Sequence, residues 1–167
     1  RDGAAAMSTT PAPDLQMGIL QRRRIEAEII KPIYEEMKAA FGEAAAKGVI
    51  ERAIRKAAIE AGKQFAAQAK DGTSLASFAA IQPLWTKEDA LRIEKLREDT
   101  EHLDFNVVRC RYAETYKAMG LGEIGHLLSC NRDGTFCEGY DPRLKLERTQ
   151  TIMGGASHCD FRYTYEK

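Results

Sequence analysis

Apolar positions recur at helical spacing through the first hundred residues of this chain and then change to shorter, alternating runs. From Leu15 onward, Ile19, Ile25, Ile29, Ile33 and Met37 include a run at spacing four, which predicts an apolar stripe on one side of a helix. Pro32 lies inside the run and predicts a kink or break near Lys31, because proline removes a helical N–H and crowds the preceding turn. Phe41-Gly42 ends the segment. A second helix is predicted over 43–70, with Ile50, Ala53, Ile54, Ala57, Ala58, Ala61 and Phe65 on one stripe. Small residues there allow close approach of another helix or of a partner subunit. Asp71-Gly72 is a stop signal, and Ser74 caps a third helix over 75–84, closed by Pro83 and Trp85. Residues 87–99 are charged and read as a short exposed helix or a connector.

The character changes near His102. Phe105 to Cys110 has strand chemistry. Ala113 to Met119 reads as helix ended by Gly120, and a further helix is predicted over 122–138. Asp141-Pro142 ends it. Leu144 to Ile152 reads as a strand, Met153 to Ser157 as a turn, and Cys159 to Tyr165 as the return strand. The fold class is therefore α+β: N-terminal helices packed on a small antiparallel sheet with a C-terminal β-hairpin. One domain over 15–167 follows, helical over 15–100 and mixed over 101–167. A lead-in over 1–14 precedes it. Arg1 to Ala6 reads as residues left by cloning ahead of a natural start at Met7, and Ser8 to Asp14 as a flexible polar segment. The long helices carry more apolar stripe than a small sheet needs, which predicts a homo-oligomer.

Charge narrows the class of partner. The 25 Lys and Arg balance the 25 Asp and Glu to a formal net charge of zero. That argues against a nucleic-acid binder or a polybasic membrane binder. The run Arg22-Arg23-Arg24 is followed by Glu26 and Glu28 and reads as a solvated helix face. No apolar run reaches the roughly 18–20 residues a membrane span needs. No signal-peptide pattern follows Met7, so a cytoplasmic protein is expected, in which the four cysteines stay reduced.

Those cysteines all lie in the last third of the chain. On a helix over 122–138, His126, Cys130, Asp133 and Cys137 share one face at spacings of four, three and four. Cys110 falls where a strand turns into a helix. On the last strand Cys159, Phe161, Tyr163 and Tyr165 share one face, while His158, Asp160, Arg162 and Thr164 share the other. His158 and Cys159 therefore point apart unless a bulge intervenes. No zinc signature, P-loop, dinucleotide fingerprint, nucleophile elbow or His-Glu-x-x-His is present. The spacing alone implies no cofactor; a divalent metal (Zn or Mn), if one binds, would use Cys110, Cys130 and Cys159 with a histidine.

Four segments resemble the L-2-amino-thiazoline-4-carboxylate hydrolase family. They are Gln21 to Glu28 (QRRRIEAE), Asn106 to Glu114 (NVVRCRYAE), Cys130 to Asp133 (CNRD), and Leu146 to Thr151 (LERTQT) running into Gly155 to Tyr163 (GASHCDFRY). The resemblance spans about Leu15 to Tyr165. It implies an enzyme, a ring-opening hydrolase that adds water to a thiazoline ring to give N-carbamoyl-cysteine. A related ring, such as a hydantoin, thiohydantoin or lactam, is the neighbouring possibility. The end of the chain, a Thr-rich strand, a Gly turn and Cys-x-Phe, also resembles the small-molecule-binding domain of the 4-vinyl reductase type. That would imply a metal-binding or sensing module instead of an enzyme.

Ring opening needs a nucleophile at the carbon between sulfur and nitrogen, a proton on the ring nitrogen or amine, and release of the ring thiolate. Two mechanisms fit. In one a thiolate of Cys110, Cys130 or Cys159 attacks, with His158 or His126 moving protons. In the other Asp133, Glu114 or Asp160, or a bound metal, activates water. Arg111, Arg148 and Arg162 are candidates for a substrate carboxylate, and His126 for further substrate contact. Cys137 lies outside the matched segments. Phe78, Trp85, Phe105, Phe136 and Tyr140 are the expected pocket walls.

Overall fold

The structure, a computed structural model, describes residues 16–167. The lead-in expected over 1–14 and the helical start at Leu15 lie outside the described residues.

Helix α1 (Ile19–Phe41) runs through Pro32 without the break its sequence suggested. Pro32 is exposed, so the carbonyl it leaves unpaired faces water. The buried face also differs from the isoleucine stripe. Ile19, Leu20, Arg23, Ala27 and Tyr34 are buried, whereas Ile25, Ile29 and Ile33 are 51%, 60% and 48% exposed. The true inner line includes an arginine, an alanine and a tyrosine, which a hydrophobic count ranks below isoleucine.

Gly42, at φ 86°, turns the chain into α2 (Glu43–Ala66). This helix stops short of Lys70, and residues 67–72 form turns. Ser74 then caps α3 (Leu75–Ile81) as expected. The Ser77 N–H donates to Ser74 Oγ at 3.0 Å, and the Ser74 N–H donates to Ser77 Oγ at 2.8 Å. Pro83 starts a separate short helix, α4 (Pro83–Thr86), so the third helix does not continue to Leu84.

The charged stretch after it is not helical beyond a turn at Lys87–Asp89. It forms β1 (Leu91–Glu98), an edge strand that pairs antiparallel with β2 (His102–Cys110). An edge strand half open to water needs few apolar residues, and Leu91 and Ile93 are the ones it turns inward. Then come α5 (Arg111–Ala118), a π-helical turn (His126–Cys130), α6 (Asn131–Tyr140), β3 (Leu144–Glu147) and β4 (Cys159–Tyr165). The sheet order is β1-β2-β4-β3, antiparallel throughout.

In the β2–β4 register Val107 faces Cys159, Phe105 faces Phe161 and Leu103 faces Tyr163. These side chains form the covered face of the sheet, packed with Phe65, Leu75, Phe78, Phe136 and Tyr140. The strand expected over 144–152 ends at Glu147. Arg148 leaves the ladder, and the N–H groups of Thr149 and Gln150 donate to Asp160 Oδ1 at 2.9 Å each instead.

Helices α2 and α6 cross at two glycines. A Cβ on Gly62 would lie 2.3 Å from the Phe136 carbonyl oxygen, and one on Gly139 would lie 1.9 Å from the Ile59 carbonyl oxygen. The backbones touch there, so neither position accepts a side chain without moving a helix. Gly139→Ala is expected to lower stability by about 3 kcal/mol in urea unfolding, the upper part of the overpacking range. Gly134→Ala, on the same helix with nothing within 4 Å of the added atom, is expected to raise it by about 0.5–1 kcal/mol.

Candidate functional site

Between α1, α2, the π turn, α6 and the covered sheet face lies a cavity of about 310 Å³. Phe65, Phe78, Trp85, Phe105, Phe136, Phe161 and Tyr163 supply aromatic walls. They pack mainly tilted or edge to face; Trp85 meets Phe136 at 5.5 Å between ring centres and 79° between planes. Four of the five walls expected from sequence are in place. Tyr140 is not among the lining residues; it stacks behind Phe136 at 5.8 Å and shares a 2.7 Å hydrogen bond with Ser77.

The polar end of the cavity is built by one turn of α1 and the first turn of α6. Arg23 and Glu26 sit three apart on α1, and Arg132 and Asp133 open α6. Arg23 and Arg132 are each 8% exposed. Arg23 Nη1 donates to both oxygens of Glu26 at 3.0 Å, and Arg132 Nη2 donates to Glu26 Oε2 at 3.0 Å. Arg132 Nε donates to the Leu128 carbonyl at 2.7 Å. The cluster thus holds two guanidinium ions against one carboxylate. Burial pulls the Arg132 pKa down to about 10, the neighbouring Arg23 charge pulls the same way, and Glu26 opposes both. Arg132 therefore stays charged at neutral pH.

Asp133 lines the cavity beside this cluster and faces a third arginine. Arg148 Nη1 donates to Asp133 Oδ2 at 2.5 Å, and Arg148 Nη2 donates to the Cys130 carbonyl at 3.0 Å. The Arg148 guanidinium also sits 5.0 Å over the Phe161 ring. Burial pushes the Asp133 carboxyl up, with Arg148 acting against it.

Behind Asp133 lie the thiols. Cys110 caps α5, its Sγ accepting from the Ala113 N–H at 3.4 Å, and Cys159 Sγ accepts from the Ile152 N–H at 3.2 Å. Burial raises Cys110 to about 11 and Cys130 to about 12, and it raises Cys159 against the opposing Ile152 hydrogen bond. Each also feels the Asp133 charge, which raises it further. None of these cysteines is among the residues lining the cavity.

The family model of L-2-amino-thiazoline-4-carboxylic acid hydrolase matches residues 22–163. The chain belongs to that family. No curated protein matches the chain. The crystal structure of the phenol-responsive sensory domain of the transcription activator PoxR with phenol is similar in fold, with a TM-score of 0.50 and 13% identity over 80% of this chain and 71% of that one. Among the described residues no helix is long and apolar enough to cross a membrane.

In this hydrolase-family chain the predicted site residues divide. Asp133, Arg148, Cys110, Cys130 and Cys159 are brought together. The others lie elsewhere. Glu114 is exposed and pairs with Arg109 at 3.1 Å, and Arg111 Nη1 donates to the Glu88 carbonyl at 2.8 Å. Arg162 lies on the uncovered sheet face, bound to the Phe105 carbonyl at 3.0 Å and to Asn106 Oδ1 at 3.1 Å. Strand alternation holds: Cys159, Phe161 and Tyr163 are buried, and Asp160 and Arg162 are not. His158 contacts Ser157 Oγ at 3.0 Å and the Gln150 side chain, and Asp160 is held down to about 2 by Thr149 and Gln150 despite partial burial. His126 is exposed and Cys137 is in the core, so they do not share a face. The π turn between them shifts the helical register. Cys137 donates back to the Asp133 carbonyl at 3.3 Å, and burial, with Asp133 beside it, raises its pKa to about 12.

Among the described residues no three His, Cys, Asp or Glu side chains form a group that could hold a metal ion, so Cys110, Cys130 and Cys159 are not assembled as a ligand set. Sequence reasoning also set aside the run that matters most. Arg23 reads as solvated by composition but is buried, and Arg132 carried no prediction. Their one signal was membership in the matched segments Gln21 to Glu28 and Cys130 to Asp133.

The raised thiols give a direct check. Folded protein at pH 7 is expected to be alkylated by iodoacetamide at each cysteine about 100-fold more slowly than urea-unfolded chain, with rates still climbing above pH 9. Mass spectrometry per cysteine reads this. A cysteine labelled equally fast in both states carries a resting thiolate.

Proposed function

We propose that this protein hydrolyses a small nitrogen- and sulfur-containing ring bearing a carboxylate, of the 2-aminothiazoline-4-carboxylate type, inside the aromatic cavity. The observation that carries the reading is the buried Arg23–Glu26–Arg132 cluster at its polar end. Two guanidiniums against one carboxylate leave a positive charge to be balanced by an anionic ligand. Among the described residues, Arg23 Nε and Nη2 and Arg132 Nη1 make no hydrogen bond to protein, so donors remain for a carboxylate. The volume suits one small ring, and the flat walls suit its faces.

In this reading Asp133 is the acid–base group. Its carboxylate takes a proton from water as the oxygen adds to the carbon between ring sulfur and nitrogen. That proton passes to the ring nitrogen; the tetrahedral intermediate then expels the sulfur, and the carboxylate moves the proton of the added hydroxyl to the departing thiolate as the C=O forms. One C–O bond forms and one C–S bond breaks, leaving a thiol and a carbamoyl group. Burial favours this role by raising the carboxyl toward the pH of the reaction. Arg148 holds the carboxylate in place.

A second reading has one observation behind it. The structural neighbour named above is a phenol-responsive sensory domain, and an aromatic cavity also serves a module that binds a small ring without reacting. Turnover separates the two. Incubation with 2-aminothiazoline-4-carboxylate is expected to release one free thiol per ring, read by thiol reagent, with the carbamoyl product read by mass spectrometry. Stoichiometric binding with no thiol release would favour the sensor.

Within the enzyme reading, Asp133→Asn is expected to lower kcat by about 100-fold or more. Arg23→Met is expected to raise KM for the carboxylated ring about tenfold while leaving the decarboxylated ring nearly unaffected. Circular dichroism confirms folding of each. Loss of turnover in folded Cys159→Ser, with Asp133→Asn still active, would move the chemistry to the thiol.

A further inference from the structure

The isoleucines that α1 turns away from the core form a stripe that, among the described residues, nothing covers. At 3.6 residues per turn, Arg22, Ile25, Ile29, Ile33 and Glu36 fall within an arc of about 80°. Three of these five are the exposed isoleucines, and Pro32 and Ala40, also exposed, flank them. Among the described residues, the side chains of Arg22 and Glu36 make no ion pair within the protomer; Arg22, half-buried, also borders the cavity.

The order of residues along the stripe is self-complementary. It runs basic, apolar, apolar, apolar, acidic, symmetric about Ile29. Laid antiparallel against a copy of itself with Ile29 on the two-fold axis, Ile25 meets Ile33 of the partner subunit. Arg22 then meets Glu36 of the partner subunit, twice by symmetry. A parallel arrangement would place Arg22 against Arg22 and Glu36 against Glu36. The charges therefore choose both the partner and its direction.

We propose that this protein forms a two-fold dimer through antiparallel packing of α1 on α1, centred on Ile29. The contact is one helix pair, spanning about 21 Å between Arg22 and Glu36, and it is small for a permanent interface. A reversible dimer in the micromolar range is the expected strength. The stripe touches the cavity only at Arg22; Ile25, Ile29, Ile33 and Glu36 do not line it, so Ile29→Asp tests the dimer apart from the proposed chemistry.

Sedimentation equilibrium of the full chain over micromolar concentrations tests it. The expected result is a concentration-dependent dimer whose Kd rises at least about tenfold in Ile29→Asp. Arg22→Glu alone and Glu36→Arg alone should each raise Kd about fivefold, and the double variant should return it to within about twofold of the parent. Because the side chains are on the surface, helix content and Tm of the variants should stay at the parent values. Three results would overturn the proposal: a monomer at every concentration, a dimer indifferent to Ile29→Asp, or a double variant no tighter than the singles. A chain that dimerises only after residues 1–15 are removed would assign the stripe to that segment and overturn it too.

Discussion

The α2–α6 crossing, where two helix backbones touch, decides where everything else can be. With no side chain at Gly62 or Gly139, the Ile59 and Phe136 carbonyls can lie against the opposite helix. That closeness fixes α6 over the sheet. It brings Arg132 within reach of Glu26 on α1, at the head of a helix whose other end packs Tyr140 against Phe78. Any spacer at the crossing would lift α6 as a rigid body. The 3.0 Å contact between Arg132 and Glu26 would be lost, and so would the aromatic contacts that close the cavity. A helix-packing constraint and the geometry of a polar site are therefore one requirement.

Charge placement around α6 is the second constraint. Arg132 and Asp133 are adjacent in sequence, and successive helical residues project about 100° apart. Arg132 therefore turns toward α1 while Asp133 turns toward Arg148. The Asp133–Arg148 pair is internally balanced; the Arg23–Glu26–Arg132 group is not. Holding two guanidiniums out of water with one carboxylate is unfavourable unless the groups are well hydrogen-bonded. The protein meets that partly with the Leu128 carbonyl and partly with exposure of Glu26, whose side chain is 33% accessible. A bound carboxylate would complete the balance from the cavity side, which ties the imbalance to ligand recognition.

Periodicity made some of this legible in the sequence and hid the rest. β4 could be read to its ends because its alternation is complete, and the same alternation separated Cys159 from His158. The Ser74 cap and four aromatic walls were legible for similar local reasons. β1 was not, because an edge strand with one half-covered face carries too few apolar residues to show a period of two. The isoleucine stripe misled because hydrophobicity records what a residue gains by leaving water, not which neighbour covers it. Arg23 was illegible in principle. Its burial depends on Glu26 and on an arginine more than a hundred residues away, and no local pattern encodes that pairing. The family resemblance captured it only as membership in two matched segments.

The cysteines drew notice as reactive groups, yet burial acts on them and on Asp133 with opposite consequences for chemistry. Removing a group from water disfavours its charged form. A thiol that begins near 9 is thereby moved further above neutrality, to about 11 for Cys110 and about 12 for Cys130. A carboxyl that begins near 3.8 is moved upward as well, and for it upward means toward neutrality. In the proposed reaction the same desolvation therefore works against a resting thiolate and in favour of Asp133 as the proton-transfer group. The Asp133 charge adds to the effect, since an anion nearby makes every thiolate harder to form. In the proposed reaction, a partly desolvated site is better suited to a carboxyl that takes and returns a proton than to a thiolate that must be charged before it can act.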